Sequence, residues 1–187
     1  IIVFNAIIMR LEGNVGVAAY GVIANLSLVI IAVYTGIAQG IQPVISRNYG
    51  AGNFRDILAT LRYALITMLI FSVLIYTGVF FGASQIAAVL NSENKEMLQS
   101  IATQGLRLYF LACPFAGFNV ILSMYFTSTE QSNPANVISL LRGFVVIIPM
   151  AFLLSAVWKI QGVWCAFPAT ELLVAAVGAV LFTVINN

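Results

Sequence analysis

An all-α integral membrane protein is what this sequence predicts, on three observations. Only 7% of the 187 residues are charged, against about 25% in soluble domains. Hydrophobic residues make up 61%. The apolar residues also fall into blocks of about 20 or more, long enough to cross about 30 Å of hydrocarbon as helices, with none of the ten-residue alternation that barrel strands show.

Taken in order, the first block covers about residues 1–9 and ends at Arg10, Glu12, Gly13 and Asn14. The chain opens IIVFNAIIM, with no initiator Met and no charged lead into a signal peptide, so it reads as starting partway through a helix. The second span runs from about 17 to 46 and is longer than a bilayer needs, which calls for tilt or extension beyond the lipid. The third covers about 58–81, and ASQIAAVLNSENKEMLQ after it reads as a loop with a short interfacial helix. Ser92, backed by Glu93, is the expected start of that helix, since a hydroxyl cap and an early acid both satisfy exposed amides.

The fourth span, about 105–127, carries Pro114 in its first half, so neighbouring helices must satisfy the carbonyl that the proline frees. STEQSNPAN is a turn, and Pro134 suits the first turn of the fifth span, about 135–157. Trp158, Lys159 and Gln161 mark a short interfacial loop, with Trp164 in the same aromatic belt, before a sixth span of about 163–185. Residues 1–187 are thus one transmembrane domain of five full spans and one truncated one. Arg47, Arg55 and Arg62 flank a single short loop, which places that loop and the C-terminus in the cytoplasm.

Several functions are excluded early. A net charge of +2 with scattered Lys and Arg is no nucleic-acid footprint. With no His, zinc-protease motifs and His-based triads are absent, and without paired intramembrane acids an enzyme is not expected; no cofactor or metal is either. Cys113 and Cys165 lie in apolar runs and read as packing residues.

The candidate functional residues are the polar groups on apolar helices. Glu171, in FPATELLVA, lies about 12 Å into the sixth span at 1.5 Å per residue. A carboxylate there costs about 2.5 to 3.5 kcal/mol to insert, so it faces a cavity or a partner. It reads either as a proton-responsive or cation-contacting group, or as a structural acid bonded to a neighbouring helix. Arg107 is expected to snorkel to the headgroups, an ion pair with Glu171 being the alternative. Asn25, Gln39, Gln42 and Asn119 either tie helices together or, with Tyr34, Tyr109, Met124, Phe115 and Phe118, line an amphipathic cavity. Gly36 with Gly40, and Gly78 with Gly82, form GxxxG pairs that permit close helix approach. NYGAGN, with Gly50 and Gly52, has no preceding strand and no following GK[ST], so a tight turn is its role rather than a phosphate loop.

The stretch GIAQGIQPVISRNYGAGN, the fourth span running into STEQSNPANVISLLRG, and GVWCAFPATELL together resemble the multidrug and toxic compound extrusion (MATE) family. They match in order and spacing over nearly the whole chain, and look closest to its bacterial and archaeal multidrug exporters and damage-inducible homologues. The resemblance implies a six-helix bundle forming the C-terminal lobe of a two-lobe transporter, with the N-terminal lobe missing. It further implies export of organic cations by alternating access from a prokaryotic cell membrane, with lipids as the other partner. In that setting Pro43, next to Gln42, bends the cytoplasmic end of the second helix, and Gln42 touches the pathway. Some members bind sodium through acids on the first and fourth helices of this lobe; Asn5 and Asn119 stand here, which favours the proton as coupling ion. A lipid-linked sugar flippase of the same superfamily would call for more cavity cations, and a non-transporting membrane subunit is a third reading.

Overall fold

Lipid offers the backbone no hydrogen-bond partners, so a chain of this composition satisfies its amides internally as helix. The computed structural model of the protein describes residues 1–91 and 96–186, and every element among them is helical. In order these are α1 (Ile2–Gly50), α2 (Phe54–Leu90), α3 (Glu96–Tyr109), a 3-10 turn (Phe110–Ala112), α4 (Cys113–Ser128), α5 (Ser132–Leu140), a π-helical turn (Leu141–Val145) and α6 (Ile147–Asn186).

Two of these helices are hairpins. At Gly13 the backbone takes φ 61 and ψ −152, a conformation open essentially to glycine alone. The rings of Phe4 and Tyr20 then stack with centroids 5.5 Å apart, whereas sixteen residues of straight helix would separate them by about 24 Å. The second reversal is at Lys159, with φ 51 and ψ −129. Beyond it Gly162 sits so close to the Leu154 carbonyl that a Cβ would overlap it. With these two breaks the described residues form six helical arms, 2–12, 14–50, 54–90, 96–128, 132–158 and 160–186.

The α1–α2 turn shows which glycine of NYGAGN matters. Gly52 has φ 71, its amide donates to the Tyr49 carbonyl at 3.0 Å, and the Asn53 amide donates to the Asn48 carbonyl at 2.9 Å. This paired arrangement closes a helix with a left-handed residue. Asn53 then caps α2, its side chain accepting from the Asp56 amide. Gly50 is simply the last helical residue, and the backbone keeps helical dihedrals through Pro43.

The arm made of α3 and α4 is the centre of the bundle: 56% of its most apolar window is buried, against 11% to 33% for the other long helices. Glycines set its distances to the neighbours. A Cβ on Gly105 would meet Ile23 and Trp164, one on Gly117 would meet Met68 and Tyr34, and one on Gly178 of α6 would meet Leu122. Such contacts replace the hydrophobic drive that lipid does not supply. The GxxxG pairs do not act this way within the chain: Gly36, Gly40 and Gly78 face open space, and Gly82 meets only Ile86 of its own helix.

Three sequence expectations are corrected. α2 continues to Leu90 instead of ending near residue 81, because Ala83 and Ala87, one turn apart, are fully buried and the Gln99 side chain of α3 donates to the Ser84 carbonyl at 2.7 Å. α3, described from Glu96, runs through the 3-10 turn into α4 as one arm instead of a short interfacial helix followed by a span from about 105; Ser92 and Glu93 lie outside the described residues. Trp164 is not in an aromatic belt but in the core, 1% exposed and stacked on Tyr20 at 6.2 Å, in the space that Gly105 leaves. Trp158 is exposed.

The two reversals give opposite predictions. Lys159→Gly relieves a left-handed backbone and is expected to stabilise by about 1 kcal/mol, whereas Gly162→Ala drives a methyl into backbone and is expected to destabilise by about 3 kcal/mol. Thermal unfolding of the detergent-solubilised variants, followed by size exclusion, checks both.

Candidate functional site

The second arm of α6 carries Pro168 within the helix and Glu171 one turn after it. Glu171 is 1% exposed. Its Oε1 accepts from Arg142, from Nε at 3.0 Å and from the terminal Nη2 at 2.9 Å. Its Oε2 accepts from Asn119 Nδ2 at 2.7 Å. The same amide nitrogen donates to the Glu171 backbone carbonyl at 2.9 Å. A carboxylate buried in the bundle is thus neutralised by a guanidinium and fixed by an amide, with α4, the π turn and α6 each contributing one residue.

The π turn is what brings Arg142 in. The Val146 amide bonds back to the Leu141 carbonyl, five residues earlier, at 3.0 Å. One extra residue in the turn rotates everything after it by about 100° relative to an α-helix. From there Arg142 is 21% exposed while the Glu171 side chain is 2% exposed, so the guanidinium covers the carboxylate. Asn119 is fully buried, and its Oδ1 has no hydrogen-bond partner among the described residues.

Arg142, which the sequence reading did not single out, is thus the partner of Glu171. Arg107 is not the partner of Glu171. It is exposed, lies 5.0 Å above the Phe80 ring, and donates from Nε to the Phe80 carbonyl at 3.3 Å. The missed signal was present in SLLRGF: an arginine just before a glycine, seven residues into an apolar span, with Glu171 the deep acid that needs a cation.

Of the other candidates, the structure brings Asn119 alone to Glu171. Tyr34 is fully buried and its hydroxyl pairs with Ser72 Oγ at 2.9 Å, joining α1 to α2. Asn25, Gln39 and Gln42 are exposed. Pro114 is the second residue of α4, directly after the 3-10 turn, where it needs no intrahelical partner. Pro134 is buried in the first turn of α5. Cys113 and Cys165 are free thiols.

Two of the grooves on the bundle bear on these residues. One of about 620 Å³ is lined by Phe4, Tyr20, Tyr109, Phe144, Phe167 and Arg142, among others. Its aromatic walls are two parallel stacks, Phe4 on Tyr20 and Tyr109 on Phe167 at 4.5 Å. The other, of about 680 Å³, is lined by leucines of α2 with Phe118, Leu122 and Phe182, and has Arg62 as its charged member. The residues expected to share one cavity are therefore divided: Tyr109 lines the first groove and Phe118 the second.

Removing one member of the buried pair leaves the other charged and unpartnered, which costs about 3 to 5 kcal/mol. Arg142→Ala and Glu171→Ala are each expected to destabilise by about 3 kcal/mol, because Arg142 is partly solvated, and the double variant by clearly less than the sum. A double-mutant cycle of thermal unfolding measures that coupling.

Comparison with known proteins supplies the family. The MatE family model matches residues 2–153. A FAD transporter of Shewanella oneidensis is 27% identical over 176 residues, which is 90% of this chain and 38% of that protein. The multidrug export protein MepA of Staphylococcus aureus is 22% identical over 173 residues, 91% of this chain and 37% of that protein. Among solved structures, a multidrug resistance MATE family transporter of the MOP superfamily matches with TM-score 0.88 in its outward-facing conformation, at 17% identity over 95% of this chain and 40% of that one. Its inward-facing counterpart also gives 0.88, at 18% identity over 94% of this chain and 41% of that one. The chain therefore spans about two fifths of the length of these relatives, in one lobe's worth of helices. With the family model covering most of its length, the chain belongs to the MatE family of membrane transporters.

Proposed function

We propose that the chain is the C-terminal lobe of a cation-coupled multidrug antiporter that exports organic cations by alternating access, with the proton as coupling ion. The observation that carries this reading is the buried Glu171, held between Arg142 and Asn119 across three helices. A proton arriving at Glu171 would cancel the charge that holds Arg142, loosening the π turn against α6. That is a local change able to bias two states of a lobe. The equal likeness to outward- and inward-facing relatives supports a lobe that keeps one fold while it rocks against a second, N-terminal lobe. Arg47, Arg55 and Arg62 support a cytoplasmic α1–α2 loop and C-terminus in a prokaryotic cell membrane.

A second reading has a specific observation behind it. The similarity to a FAD transporter, together with an arginine on the wall of an aromatic groove, suits a flavin nucleotide, whose ring would stack and whose phosphates would seek the guanidinium.

Efflux from cells expressing the full-length protein separates these readings. Ethidium efflux is expected to stop when the pH gradient is collapsed and to persist when the sodium gradient is. Glu171→Gln is expected to slow it about tenfold or more at unchanged expression. Efflux unchanged in Glu171→Gln removes the coupling role, and export of FAD in place of ethidium establishes the second reading.

A further inference from the structure

We infer that Arg142 is a tethered competitor: a planar organic cation entering the aromatic groove takes the place of its guanidinium on Glu171. The inference rests on the organic-cation reading above and specifies how that ligand is admitted.

The geometry divides Glu171 into a fixed half and an exchangeable half. Oε2 is held by Asn119, whose amide also grips the backbone carbonyl of the same residue, so the carboxylate keeps its orientation whatever happens at Oε1. Oε1 is served only by Arg142 among the described residues, through two nitrogens. Arg142 is also the charged side chain on the wall of the groove. It stands between that space and the carboxylate, and it sits on a π turn, an element with one residue more than an α-helix needs and therefore able to shift register.

The groove suits what would replace it. About 620 Å³ lies within the usual range for a small-molecule site. The exposed ring of Phe144 and the half-buried ring of Phe167 on its wall offer π faces that attract a cation, while the buried Phe4–Tyr20 stack behind them holds the wall in place. A flat cation is a chemical match for guanidinium itself: delocalised, weakly hydrated and able to stack. Exchange keeps the cluster neutral, so the buried carboxylate is never left alone. When Arg142 moves out, its charge comes to the groove wall, where the guanidinium is already partly solvated. A site whose open form is a minor population binds its ligand more weakly by that fraction, so the tether sets the affinity.

The test is equilibrium binding of ethidium, by fluorescence anisotropy, to the full-length protein carrying this chain, purified in detergent. Without a gradient, binding is read independently of transport and coupling. Arg142→Gln, assayed well below its unfolding temperature, is expected to bind ethidium about tenfold more tightly, Glu171→Gln about tenfold more weakly, and the double variant as weakly as Glu171→Gln. Arg142→Lys keeps a charge without the two-nitrogen grip and is expected to fall between wild type and Arg142→Gln; it answers the question if Arg142→Gln does not fold. Ethidium affinity unchanged or weakened in both arginine variants overturns the inference. So does loss of FAD binding in those variants with ethidium unaffected, which would make Arg142 the ligand's own anchor. Efflux lost while this binding pattern holds would count against the antiporter reading alone.

Discussion

Much of this lobe is organised by the need to keep one carboxylate inside an apolar helical bundle. Glu171 could not remain there charged without a cation, and a guanidinium could not remain there without an acid. The two meet because the fifth span contains a π turn and because α4 offers Asn119 from a third direction. Each of these features would be a defect alone: a widened helical turn, a buried amide whose oxygen has no partner among the described residues, and an acid in an apolar arm. Together they make a neutral and nearly closed cluster that fixes α4, the fifth span and α6 relative to one another.

The remaining packing is of another kind. Between lipid-facing helices hydrophobicity gives no preference for helix over lipid, so closeness has to come from shape. The glycines that provide it, Gly105, Gly117, Gly162 and Gly178, each face a bulky side chain or a backbone carbonyl. Trp164 fills the space beside Gly105 and carries the stack on to Tyr20 and Phe4. This aromatic column joins α6 to both arms of the first hairpin and ends at the groove that Arg142 also lines. Core and groove are thus continuous, and the groove's walls are held by residues that are themselves buried.

The sequence made the helical class, the order of the arms and the two reversals at Gly13 and Lys159 legible, because each depends on local composition: blocks of apolar residues interrupted by charge, glycine or tryptophan. Glu171 and Asn119 were legible for a related reason, since a polar group in an apolar helix stands out. Their partner Arg142 did not. Its register depends on a π turn, and a hydrogen bond moved by one residue leaves no trace in a 3.6-residue pattern. The GxxxG pairs misled for the opposite reason: the motif records two small residues on one face but not whether another helix of the same chain lies opposite. Trp164 misled because tryptophan suits an interface and a core alike, and only the gap beside Gly105 decides between them.

A lobe built this way separates its charged contact from its apolar packing. The column from Phe4 to Trp164 and the Tyr34–Ser72 bond between α1 and α2 involve no charge. The Arg142–Glu171 pair is charged, and it sits on an arm whose helical register is irregular. Charge is therefore placed at an irregular turn, while the apolar contacts that define the fold are left outside its reach. Cluster and scaffold can then be altered separately: losing the ion pair should change what the groove admits, whereas losing a packing glycine should change whether the bundle forms.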